Sequence, residues 1–133
     1  MQPSVINNIH FHYESSLPLH EAEVNISFKK EKPIVHVRAF NGYQEPTVKK
    51  SFKITLEQFR ELENSIKFFE GSIPDDKTLG LDGSHWFLEY DVGEEKRLYE
   101  FWSPEIDTKS RDLEKFMVVC KKIIEIAEIK IEG

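Results

Sequence analysis

The chain of 133 residues has one cysteine, two methionines and only six glycines, and each scarcity removes a class of protein. A lone Cys120 excludes an internal disulfide and a cysteine-built metal knuckle, and suits a reducing compartment, so a cytoplasmic location is expected. No apolar run approaches the ~18 residues that a membrane-spanning helix needs. The opening Met1 to His10 lacks a basic stretch followed by an apolar block and a small-residue cleavage site, so no signal peptide is expected. Neither a glycine-rich phosphate loop nor a dinucleotide fingerprint occurs. With 39% hydrophobic and 32% charged residues, the chain is too apolar for a disordered tail and too polar for a membrane protein. One domain over residues 1–133 is the expectation at this length.

An excess of positive charge is also missing. The net charge is −6, and it is unevenly spread. Residues 22–56 hold seven bases against three acids, whereas residues 57–107 hold fourteen acids against five bases. An acidic middle repels a phosphate backbone, so nucleic acid is not expected as a partner. A basic protein surface fits better.

What is present is a change of hydrophobic period. Ile9, Phe11 and Tyr13 alternate with His10 and His12, and Ala22, Val24, Ile26 and Phe28 alternate with Glu23, Asn25, Ser27 and Lys29, which predicts strands with one buried face. Lys29 to Pro33 forms a polar turn, Ile34 to Phe40 is β-branched and aromatic, Asn41-Gly42 signals another turn, and Val48, Phe52 and Ile54 alternate with Lys49, Ser51 and Lys53. The period then lengthens to about 3.6. Thr55-Leu56-Glu57-Gln58 is a capping box, flanked by an Ile54–Phe59 staple. Leu56, Phe59, Leu62, Ile66 and Phe69 line one helix face, and Gly71 is placed for a left-handed cap. A second strand pair, Ser84 to Tyr90 and Arg97 to Trp102, is joined by the polar stretch Asp91 to Lys96. Leu113, Phe116, Met117, Cys120, Ile123, Ile124 and Ala127 then predict an amphipathic helix from about Thr108 to Glu128. The order β-β-β-(β)-α-β-β-α groups strands together, which predicts an α+β fold: an antiparallel sheet of five or six strands with two amphipathic helices on one face.

Chemistry-bearing constellations are sparse. His10-Phe11-His12 puts two imidazoles on one strand face, close enough to share a metal with help from His20, His36 or His85. A tight site needs three or four convergent ligands, and polar residues at water-facing strand positions are the plainer reading, so no metal ligand is assigned. Asp82-Gly83-Ser84-His85 contains the residue types of a hydrolase triad, but neighbouring strand positions do not converge as a triad must. Cys120 reads as a small buried hydrophobe. Asp75-Asp76 and Glu94-Glu95 read as solvated turns. No catalytic residue and no cofactor is assigned.

The stretch from Leu79 to Glu89, followed by Tyr99 to Glu105, carries large aromatics on both faces of a strand pair beside acidic side chains. Rings filling the sandwich between sheet and helices would explain this. So would a contact surface in which aromatic anchors are ringed by carboxylates, and its candidate residues are Asp82, Trp86, Glu89, Glu100, Trp102 and Glu105. The pattern Leu81-Asp82-Gly83-x-x-Trp86-x-Leu88-Glu89, then Trp102-Ser103-Pro104-Glu105 and an amphipathic C-terminal helix, resembles one found in small uncharacterised bacterial proteins, some of which are similar to immunity proteins that neutralise toxins. The resemblance covers about a fifth of the chain. With the acidic, aromatic-containing surface, the leading expectation is a non-enzymatic domain that binds a basic protein, such as a toxin, and either a monomer or a homodimer is expected. The competing expectation is a small-molecule module or small enzyme with its pocket between the sheet and residues 72–83.

Overall fold

The computed structural model describes residues 6–15, 20–41 and 47–129. Six strands, β1 (Ile6–Ser15), β2 (His20–Lys29), β3 (Lys32–Asn41), β4 (Val48–Lys53), β5 (Ser84–Val92) and β6 (Glu95–Trp102), and two helices, α1 (Leu56–Glu70) and α2 (Glu114–Ala127), follow one another as β1–β4, α1, β5–β6, α2. The sheet is antiparallel throughout, in the order β4-β3-β2-β1-β5-β6. The fold is α+β. The Asn41-Gly42 turn runs into residues outside those described. No helix among the described residues is long and apolar enough to cross a membrane.

One face of the sheet carries the core. Phe11, Tyr13, Val24, Ile26, Val35, Val37, Trp86, Leu88, Tyr90 and Phe101 are buried together with Phe59, Leu62, Ile66 and Phe69 of α1 and Phe116, Cys120 and Ile123 of α2. Each such side chain contributes roughly 1.5–3 kcal/mol by leaving water. A bulge keeps β1 in phase: Asn8 has φ 48° and the pairing with β5 shifts between Asn7 and His10. Ile6 and Ile9, which a regular strand would send to opposite faces, are thereby both buried.

The capping box at Thr55 forms as its sequence implies: Thr55 Oγ1 accepts from the Gln58 amide at 3.0 Å, and Gln58 Oε1 accepts from the Thr55 amide at 2.9 Å. Three boundaries differ from expectation. Gly71 ends α1 with φ −68°, not left-handed, and its N–H reaches back to the carbonyls of Lys67 and Phe68. β5 and β6 run on to Val92 and Glu95, so the turn between them shrinks to Gly93-Glu94, with Gly93 at φ 62°. α2 begins at Glu114, because Asp107 and Asp112 take positive φ and residues 103–113 fold into turns. Arg111 lies within these turns.

Arg111 is 10% exposed, and Asp76, 6% exposed, receives its Nε and Nη2 at 3.0 and 2.7 Å. The same guanidinium donates to the carbonyls of Ser103, Ile106 and Trp102. A planar five-donor group thereby ties the segment from Trp102 to Ile106 to Asp76 in the loop after α1. Asp76 is therefore half of a buried ion pair, contrary to the expectation of a solvated Asp75-Asp76 turn, and Arg111 holds its carboxyl below the ordinary range, with burial opposing and Thr78 assisting.

Candidate functional site

The two sheet faces differ. Both helices pack on the core face, and the opposite face displays the alternate residues of each strand: Lys49 and Ser51 on β4, His36 and Arg38 on β3, Glu21, Glu23 and Asn25 on β2, His10, His12 and Glu14 on β1, His85, Phe87 and Glu89 on β5, and Leu98, Glu100 and Trp102 on β6. Strand order sorts the charge. β3 and β4 contain five bases and no acid, while β5, β6 and the turn between them contain five acids and two bases. The basic pair forms one edge of the sheet and the acidic pair the other.

At the acidic edge, Phe87 lies opposite Glu100, His85 opposite Trp102 and Glu89 opposite Leu98. Leu98 is 58% exposed. Glu100 stands 3.7 Å from His85 Nδ1, and Glu89 3.4 Å from Lys96 Nζ. Residues 79–83 fold over Trp102, whose indole N–H donates to the Asp82 carbonyl at 2.6 Å. Gly80 lies directly on the indole, where a Cβ would overlap the six-membered ring. That contact takes up space which a pocket between sheet and loop would need. Leu79 and Leu81 are left pointing outward, and Leu81 is fully exposed.

Of the six candidate contact residues, the open edge gathers Glu89, Glu100 and the half-buried Trp102, with Asp82 exposed at its margin. Trp86 does not belong there. It is 4% exposed, edge-to-face with Phe11 and Tyr13, and its indole N–H donates to Ser84 Oγ at 2.9 Å. Glu105 is turned to the helix side, where it accepts from Ser84 Oγ at 3.1 Å and lines a shallow hollow with Met117 and Val118. Leu98 was not singled out from the sequence, although its alternation with Tyr99 and Phe101 marks it as facing away from the core.

The Leu81-to-Glu89 and Trp102-to-Glu105 segments thus form a structural joint. Ser84 and Ser103 are buried and exchange backbone and hydroxyl hydrogen bonds, the Ser84 amide donating to Ser103 Oγ at 2.9 Å and the Ser103 amide to the Ser84 carbonyl at 2.6 Å. Gly83 has φ 111°, and a Cβ there would strike Ser103 Oγ. Only glycine suits both the backbone angle and the close approach.

Other groups offer little chemistry. Cys120 is fully buried, and burial pushes its thiol well above the ordinary value. Tyr90 is likewise driven upward by burial and then by the Glu70 carboxylate, so neither is an activated nucleophile. Ser84 and His85 point to opposite faces, which removes the Asp82–His85 triad. His36 Nδ1 lies 2.8 Å from Ser51 Oγ. The His20 side chain lies outside the described residues. No protein-family model matches the chain, and no curated protein matches it in sequence.

Proposed function

We propose that the chain is a non-enzymatic binding protein that engages a basic protein through the acidic edge of its open sheet face. The observation that carries this is the grouping of Phe87, Leu98 and Trp102 with Glu89, Glu100 and Asp82 on β5, β6 and the loop above them, with no helix among the described residues covering them. Apolar side chains that gain by leaving water, ringed by carboxylates that choose the sign of the partner, are the ingredients of a specific contact. The basic β3–β4 edge orients the encounter, because it repels what the other edge attracts. Neutralisation of a toxin is the instance that the sequence resemblance implies, and a toxin gene next to the gene for this chain would support it.

The test uses a partner captured from native cells, purified and titrated against the full chain. Affinity should fall by roughly tenfold or more between low and high salt, as screened surface charges require. Glu89→Lys, Glu100→Lys and Leu98→Asp should each weaken it while leaving the melting temperature unchanged. Folded variants that keep full affinity would overturn the proposal.

A further inference from the structure

At the centre of the open face, away from the acidic edge, lies a group of side chains that partner binding does not use. His10 and His12, two apart on β1, present their rings to the same side, stacked nearly parallel with centroids 6.4 Å apart. The β1–β2 register sets Glu23 directly opposite His12. One ring nitrogen of each histidine and one Glu23 oxygen lie within 4.8 Å of one another. All three residues are half-buried on the two middle strands.

Two further features set this group apart from ordinary strand polarity. The Nε2 atoms of His10 and His12 are both shielded from solvent and neither makes a hydrogen bond among the described residues, an arrangement that costs free energy unless something binds there or draws a partner in. Negative charge also gathers around His12: Glu21 and Glu14 approach its Nε2 at 3.5 and 3.9 Å, and Glu23 its Nδ1 at 4.0 Å. Glu14 and Glu21 are directly opposite each other across β1 and β2, a like-charge pairing that destabilises a sheet. A cation at this point offsets both deficits.

We infer that His10, His12 and Glu23 form a binding site for one divalent transition-metal ion of the zinc class. Two imidazoles and one carboxylate are a protein donor set that borderline ions favour, at about 2.0–2.2 Å per ligand and with a position left for solvent. Ligands around such an ion sit roughly 3.4 Å apart by that geometry, so atoms that lie within 4.8 Å of one another must close by at most about 1.4 Å, through rotation of these side chains. Glu14 and Glu21, whose carboxylates approach His12 Nε2, add negative charge beside the ion.

The test titrates the full chain, freed of any histidine tag, with Zn²⁺ by calorimetry and with Co²⁺ by visible absorption. Expected are one ion per chain, a melting temperature raised by saturating Zn²⁺, and Co²⁺ bands typical of a nitrogen- and oxygen-ligated site. His10→Ala, His12→Ala and Glu23→Gln should each weaken binding by about tenfold or more, while His85→Ala leaves it unchanged. Circular dichroism without metal checks that each variant folds. Zn²⁺ affinity in the unaltered chain no higher than in the His10→Ala/His12→Ala double variant, or a loss as large in His85→Ala, would overturn the inference.

Discussion

Replacing Arg111 by methionine removes five donated hydrogen bonds, two to the Asp76 carboxylate and three to the carbonyls of Trp102, Ser103 and Ile106, while keeping much of the side-chain volume. The carboxylate then stays in a place where it is only 6% exposed, and breaking a buried pair in this way costs about 3–5 kcal/mol. That is a large share of the roughly 5–15 kcal/mol that holds a domain together. For a chain of this size the melting temperature should fall by about 10–20 °C. Asp76→Asn leaves the Arg111 cation without its carboxylate but still donating to three carbonyls, and should cost less, about 1.5–3 kcal/mol for the charge-assisted hydrogen bonds lost. The double variant should be more stable than the sum of the two losses predicts, by about 1–3 kcal/mol, since a neutral amide in place of the carboxylate no longer needs the guanidinium.

Acid should reveal the same pair. The folded-state pKa of Asp76 lies below its ordinary value of 3.8, so the folded protein binds fewer protons than the unfolded chain in that range. Its contribution is complete above the unfolded pKa and is lost as pH falls through the folded one. Below about pH 4 the unaltered chain should therefore lose stability more steeply than Asp76→Asn does. Urea unfolding at several pH values, followed by tryptophan fluorescence, measures all of these quantities. Arg111→Met within about 1 kcal/mol of the unaltered chain would refute the reasoning, because the magnitude rests on a desolvated carboxylate losing its guanidinium partner.

Ile123→Asp places a charge in the middle of the core, where Ile123 is fully buried, and should abolish the cooperative melting transition in calorimetry. Thr55→Ala removes one half of the capping box and should destabilise the chain by about 1 kcal/mol, read from the urea midpoint. Cys120 should stay unreactive toward a thiol reagent in the native state and become labelled at the rate of unfolding, because its sulfur is buried and its thiolate disfavoured. Gly83→Ala should lower the melting temperature by more than an exposed glycine replacement such as Gly93→Ala, since a side chain at Gly83 meets Ser103 whereas one at Gly93 meets nothing.

The closed and open faces of the sheet were legible in the alternation along most strands, though not along Ile34 to Phe40, because a strand reverses its side-chain direction at every residue and burial needs apolar groups on one side only. The start of α1 was legible for an equally local reason: Thr55 and Gln58 satisfy each other's backbone amides within four residues. Trp86 and Trp102, both close to acids in the chain, looked alike as binding anchors. Strand parity alone sends one under the helices and the other outward, and the local pattern left that choice open.

Spacing within one element was therefore enough for the kinds of elements and their order, their buried stripes and the cap at Thr55, while the strand count stayed at five or six. What meets across elements took the whole fold. Lateral strand order carried the bases of β3 and β4 to one edge and the acids of β5 and β6 to the other. The β1–β2 register put Glu23 beside His12, and the Arg111 guanidinium met Asp76 from thirty-five residues away. These outcomes follow from which hydrogen-bond partners and apolar surfaces find one another when the chain closes on itself, and no window of local sequence contains both members of such a pair.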